Sequence, residues 1–266
     1  MRNILTAAAF VIALFAPAVP AADNHPDIVC VTDESGRFLA LERDGNSPDL
    51  TGRITGPERH GYVTVFEYLG EGKSLRKLYE RELLTKRIPL GRALSSDGRF
   101  FLTIDDFQSS GISPFTVVIY DLARQEHTAY AGKDFLSKEL IKSLSHQGFV
   151  RGFKWRGKDG LFNLNNTKFY PTLPSNCEDE GVPFVVIDLP TRTVRVEPAP
   201  AKDPQDIVER VDQKWGWLES RETVTTDKTI LPVRVTRSSP DSPNQVFELA
   251  PDMTEYVPVM ENDRKE

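Results

Sequence analysis

The stretch Leu94–Leu122, LSSDGRFFLTIDDFQSSGISPFTVVIYDL, constrains the fold more than any other part of the chain. Asp97-Gly98 is a turn dipeptide, because Gly takes a positive φ without steric cost. After it, Phe100, Leu102 and Ile104 alternate with Phe101, Thr103 and Asp105, the period-2 pattern of a strand. Val117-Val118-Ile119-Tyr120 is a second β-rich run, closed by Asp121. The expected unit is therefore strand, tight turn, strand, polar loop, strand.

The unit recurs. Gly36-Arg37-Phe38, Gly98-Arg99-Phe100 and Gly160-Leu161-Phe162 fall at a constant interval of 62 residues. Each is followed by an apolar run: Tyr62–Leu69, Val117–Tyr120 and Phe184–Ile187. A fourth copy, Asp227-Lys228-Thr229-Ile230 with Val246–Leu249, slips out of that interval. A β unit of this kind keeps edges and one apolar face unsatisfied until neighbours stack on it. The reading is a β-repeat domain over residues 22–250, with units near 28–84, 94–147, 149–220 and 225–250, then a polar tail over 251–266. Leu94–Ala131 resembles one blade of a β-propeller of the TolB-like or WD-repeat type. In such blades an S-x-D-G-R turn joins two strands, and an apolar run ending in Asp-Leu forms the third. The resemblance implies a mainly β fold of repeated sheets, as a propeller or a partial propeller, into which the helices read below would be inserted.

Two segments break the β pattern. In Lys133–His146, Phe135, Leu136, Leu140, Ile141 and Leu144 recur at helical spacing, with Asp134 as N-cap and Gly148 as stop. Asp206–Ser220 reads as a second helix, carrying Ile207, Val211, Trp215 and Leu218 on one side. Ser74–Arg87 fits either a helical face or a return strand; the short Gly70-Glu71-Gly72 turn favours a strand through Leu83.

Residues 1–21 read as a signal peptide. Arg2 precedes the apolar run Ile4–Ala16, which Pro17 and Pro20 break, and Val19 and Ala21 are small residues before a cut at Ala22. The run falls short of the ~20 residues that a membrane span needs. The expectation is an exported protein, periplasmic or extracellular, with no stable membrane insertion after cleavage. The two cysteines, Cys30 and Cys177, then form an even pair in an oxidising compartment, which predicts one disulfide. Two unpaired thiols are the alternative, and neither cysteine has a zinc-type or redox-type neighbour.

A formal net charge of −6, with Lys and Arg interspersed among acids, excludes a nucleic-acid footprint and disfavours an anionic membrane surface. No G-x-S-x-G elbow, G-x-G-x-x-G or P-loop is present. His25, His60, His127 and His146 lack metal-type spacing, and Asp44, Asn46 and Asp49 do not follow a calcium-loop pattern. No catalytic residue, metal or cofactor is therefore expected. Asn165-Asn166-Thr167 matches a glycosylation acceptor of a eukaryotic secretory route. The most suggestive acids are Asp105-Asp106, at the end of the central strand. Adjacent strand residues point to opposite faces, so these two do not converge as an acid/base pair. With Phe107 and Gln108 they form the predicted binding site, against the alternative of turn capping. Two functions stand: an exported non-catalytic β-repeat protein that binds a protein or glycan partner, or an exported hydrolase using loop carboxylates.

Overall fold

The computed structural model describes residues 28–33, 35–43, 45, 60–85, 89, 91–104, 113–139, 141, 161–162, 165–171, 183–198, 216–219, 223–225, 230–239 and 242–259. The first unit contains β1 (Ile28–Thr32), β2 (Phe38–Arg43), β3 (Tyr62–Tyr68) and β4 (Leu75–Glu82). The second contains β5 (Gly91–Leu94), β6 (Phe100–Ile104), β7 (Val117–Asp121) and β8 (Glu126–Tyr130). The third contains β9 (Leu161–Phe162), β10 (Lys168–Tyr170), β11 (Phe184–Asp188) and β12 (Thr193–Glu197). The chain continues through β13 (Gly216–Glu219), β14 (Thr223–Thr225), β15 (Ile230–Pro232), β16 (Arg234–Ser239), β17 (Ser242–Leu249) and β18 (Glu255–Pro258).

The fold is mainly β, as the alternating pattern predicts. The second and third units are four-stranded antiparallel meanders. The first joins the last strands in one eight-stranded sheet of order β1-β2-β3-β4-β18-β17-β16-β13. This sheet curls, so that its two end strands, β1 and β13, approach each other. A hairpin of β14 and β15 forms a separate two-stranded sheet, with Leu231 packed into the core of the curled sheet.

Three apolar layers follow from strand alternation. Leu39, Leu41, Phe66, Leu75, Phe247 and Tyr256 fill the interior of the curled sheet. Phe38, Ala40, Val63 and Val65, from its other face, meet Phe101, Val118 and Tyr120 of the second sheet. Phe100, Leu102, Val117 and Ile119, on the far face of that sheet, meet Phe169, Val185 and Ile187 of the third. β6 and β7 are buried on both faces, which explains why FFLTI and VVIYD are nearly all apolar.

The tight turns repeat in atomic detail. At Gly36 (φ 65°) and Gly98 (φ 68°) the backbone is left-handed. Gly36 N–H donates to Asp33 C=O (3.1 Å), and Gly98 N–H to Ser95 C=O (2.8 Å). The Phe38 amide donates to Asp33 Oδ1 (2.6 Å), and the Phe100 amide to Ser95 Oγ (2.9 Å). The next strand donates back, Tyr68 N–H to Arg37 C=O and Leu122 N–H to Arg99 C=O. In the third sheet the equivalent bond runs from Leu189 N–H to Thr167 C=O, and the left-handed residue is Asn166 (φ 54°). A fourth instance has Met253 (φ 57°), with Lys77 N–H donating to Thr254 C=O. The predicted third turn at Gly160 lies outside the described residues. The tripeptide Gly160-Leu161-Phe162 leads into β9, the first strand of its meander, whereas Phe38 and Phe100 open second strands. Among the described residues the 62-residue interval relates the turns at Gly36 and Gly98, and the turn that matches them in the third sheet is the one at Asn166.

Three other expectations change. Gly216–Glu219, read as the end of a helix, is a strand paired with β16, its Trp217 opposite Arg237. Gly is a poor helix former, and Trp prefers strands once a partner strand is present. Glu255–Pro258, read as part of a polar tail, is β18, pairing with both β17 and β4. The predicted helix over Lys133–His146 begins with a single 3-10 turn, Gly132–Asp134. Helical residues follow at 138, 139 and 141, where Ile141 N–H donates to Ser137 C=O. Its apolar side does what the spacing predicts: Phe135, Leu136 and Ile141 pack on the core between the second and third sheets.

Candidate functional site

Each meander closes at one end by short turns. At the other end, residues 44–61 link β2 to β3, residues 105–116 link β6 to β7, and residues 171–183 link β10 to β11. The short turns of successive sheets touch. The Phe38 ring lies against Gly98, and Ser96 donates from both N–H and Oγ to Asn166 Oδ1 (3.2 and 2.9 Å). The three long connections consequently leave the same end of the stack.

The acids at the short-turn end serve the scaffold. Arg99 grips Asp121 with two bonds, Nε to Oδ1 (3.0 Å) and Nη2 to Oδ2 (2.6 Å), and its guanidinium lies 4.7 Å from the Phe100 ring centre. Burial works to raise the Asp121 pKa, but the hydrogen bonds and charge of Arg99, with help from Arg124, hold it below the usual carboxylate range. Glu67 occupies the same place in the first sheet, shared by Arg37 (2.5 Å) and Arg76 (2.8 Å). Asp33 takes its hydrogen bonds from Ser35 and Phe38, and burial raises its pKa against their pull.

The long-connection end carries a different arrangement. Phe38, Ala40 and Glu42 share one face of β2, so Glu42 extends an apolar stripe toward the second sheet. Arg92 lies opposite Thr103 as Leu94 lies opposite Phe101, so Arg92 and Thr103 face back toward Glu42. The nearest charged atoms, Arg92 Nη1 and Glu42 Oε2, are 3.8 Å apart. The Glu42 side chain is 1% exposed and that of Arg92 is 23% exposed. Burial lowers the Arg92 pKa and the Glu42 charge opposes that shift, so the guanidinium stays charged at any working pH.

The surroundings are fixed by backbone clamps. Gly61 N–H donates to Thr85 C=O, and Leu83 N–H to Gly61 C=O, both at 2.7 Å. A Cβ on Gly61 would sit 3.2 Å from the Arg43 and Thr85 carbonyl oxygens, so Gly is needed for this approach. Leu84 N–H donates to the Tyr120 hydroxyl (2.9 Å), whose pKa burial pushes far above the ordinary tyrosine range. His60 Nδ1 donates to Leu84 C=O (3.2 Å).

Among the described residues, Arg92 donates no hydrogen bond, although a guanidinium offers five donors. It is a partly exposed cation at charge-pairing distance from a buried carboxylate.

Asp105, Asp106, Phe107 and Gln108 follow β6 directly but lie outside the described residues, as does Cys177. Cys30 lies half-buried on β1. Among the described residues no group of three or more His, Cys, Asp or Glu side chains gathers as a metal site, and no helix is long and apolar enough to cross a membrane. Asn165 is exposed, and its Oδ1 accepts from the Thr167 N–H and hydroxyl at 3.3 and 2.7 Å. Glu42 and Arg92 escape a motif search. Their signal is a charge on an otherwise apolar stripe: Glu42 after Phe38 and Ala40, and Arg92 before Leu94.

The chain matches no family model and no curated relative. Among solved structures it is similar to a protein described as a 6-phosphogluconolactonase from Bacteroides fragilis, at 12% identity over 86% of this chain and 82% of that one, with a TM-score of 0.26. It is similar to hydrazine synthase from Kuenenia stuttgartiensis at 14% identity, covering 91% and 71%, with a TM-score of 0.28. It is also similar to the periplasmic gluconolactonase of Pseudomonas aeruginosa at 12% identity, covering 88% and 71%, with a TM-score of 0.24. At that distance the likeness carries no statement about chemistry.

Proposed function

We propose that this is an exported, non-catalytic β-repeat protein that binds a protein or glycan partner at the long-connection end of its sheets. The observation that carries the reading is Arg92: charged, fixed by a buried carboxylate, reaching solvent, and donating to no described residue. Arginine's planar fork suits the carboxylates, carbonyls and paired hydroxyls that peptides and sugars present. The connection that opens with Asp105-Asp106 follows β6, next to Thr103, on a scaffold buried on both faces, and loops carried by such a scaffold are where binding residues concentrate. Cleavage before Ala22 and delivery outside the cytoplasm complete the proposal.

The test uses the mature chain, immobilised, against an oligosaccharide array containing neutral and uronate-bearing glycans, and against the protein fraction exported by its own host. Wild type retains one specific ligand. Arg92→Lys keeps the charge beside Glu42 but loses the fork, and it weakens that ligand at least tenfold while the melting temperature stays within about 2 °C. Asp105→Asn separately weakens it if that carboxylate touches a basic group. Turnover of a lactone, ester or glycoside by wild type, abolished in Asp105→Asn or Asp106→Asn, would overturn the binding reading in favour of a hydrolase.

A further inference from the structure

A chain of side chains ties β4 of the first sheet, β8 of the second and the β11–β12 turn of the third. Arg81 on β4 reaches β8, where Nη1 donates to the Glu126 carbonyl (3.2 Å) and Nη2 contacts His127 Nδ1 at 2.6 Å. The Arg81 guanidinium also lies 5.5 Å from the ring centre of Tyr120 on β7, and that ring lies 6.1 Å from the His127 ring. From the turn between β11 and β12, Arg192 pairs with the Glu126 carboxylate, and its carbonyl accepts from the Tyr130 hydroxyl (2.7 Å). His127 thus contacts the Arg81 guanidinium and lies within reach of the charge of Arg192 from the third sheet. Asp121, at the end of β7, acts on Arg81 from behind.

We propose that the Arg81–His127 contact is an acid-released clasp between the first and second sheets. A guanidinium can only donate, so His127 Nδ1 must accept, and it does so only in the neutral ring. Protonation puts a hydrogen on Nδ1, removes the acceptor and adds a positive charge beside Arg81, within the field of Arg192. Glu126, the adjacent carboxylate, is already engaged by Arg192. Burial, then the charges of Arg81 and Arg192, lower the His127 pKa accordingly. A group whose folded pKa is depressed binds fewer protons in the folded state. Its contribution is therefore complete above the unfolded value of ~6.5 and is lost as pH falls from there through the folded value. The paired carboxylates Asp121, Glu67 and Asp188, all held low, act only below about pH 4, so the two windows separate.

Nitrogen-15 NMR of the full mature chain tests this directly. At pH 7.5 His127 Nδ1 resonates as an unprotonated nitrogen, and its titration midpoint lies below that of an unfolded histidine. Arg81→Met raises the midpoint by half a pH unit or more, by roughly the scale expected for a close like charge. In thermal scans, wild type loses about 2 °C more than His127→Asn between pH 7.5 and 5.0, since Asn accepts from Arg81 without titrating. A midpoint that Arg81→Met does not move, or Nδ1 found protonated at pH 7.5, would overturn the proposal. So would equal pH profiles for wild type and His127→Asn.

Discussion

Gly98→Ala is the most informative single change in the scaffold. Two costs are expected, and the structure separates them. Ala at φ 68° pays the left-handed backbone penalty, ~1–2 kcal/mol for an L-residue. Its Cβ would also stand 2.6, 2.8 and 3.0 Å from three atoms of the Phe38 ring. Phe38 is 3% exposed and packed between two sheets, so the ring has no room to retreat. Overpacking of that kind costs roughly 1–3 kcal/mol. Gly72 provides the control. Its φ is 66°, almost the same, and a Cβ there meets nothing within 4 Å. Gly72→Ala should therefore lose about 1–2 kcal/mol and Gly98→Ala about 2–5 kcal/mol, the difference being the contact with Phe38. Urea titration of both variants beside wild type, at equal m-values, reads the difference. Equal losses would show that the interlocking of successive turns contributes nothing, and that the sheets are positioned by their apolar layers alone.

Two further outcomes concern charges. Asp121→Asn strips the Arg99 fork from a side chain 3% exposed and should cost about 2–4 kcal/mol at pH 7. Because the folded pKa of Asp121 is depressed, its contribution is present above ~3.9 and fades as pH falls through the folded value. Acid titration of wild type and variant should thus converge toward pH 2, and parallel curves would refute the assignment. At the other end, Arg92→Met removes a cation from beside a carboxylate 1% exposed and should destabilise by about 3–5 kcal/mol. The double variant Glu42→Met with Arg92→Met should recover most of that loss in denaturant melts; additive losses would mean the pair is not coupled.

Strand positions were legible because burial on one or both faces writes itself into alternation or into unbroken apolar runs. FFLTI, VVIYD and FVVID are strands where their patterns put them, and LRKLYERE is the return strand that its short turn favours. The third turn was not legible because the left-handed conformation does not require glycine. Asn tolerates it, and Asn166 also accepts two bonds from Ser96 of the preceding turn. Gly216–Glu219 misled for the opposite reason: its apolar residues extend a helical spacing, and only a partner strand distant in sequence makes it β. The site was half legible. A glutamate after Phe38 and Ala40 is anomalous on sequence alone, but nothing local pairs it with Arg92, fifty residues on, across a seam between two sheets.

The pairing of β4 with β18 dictates an order of assembly. Arg76 lies opposite Glu255 and Leu75 opposite Tyr256, so the first four strands emerge from the ribosome with one long edge open. Closing a loop of this length costs about 4–5 kcal/mol of chain entropy beyond the constant for contact itself. Long-range pairing of that kind also slows folding. Until it forms, β4 offers bare amides and carbonyls to any other nascent strand, and Phe66 lacks the Tyr256 ring that meets it edge-on at 5.0 Å. The second and third sheets need only local partners. The sheet synthesised first is therefore the last completed, and the time between those events is when the chain is most exposed to misassembly with its own copies.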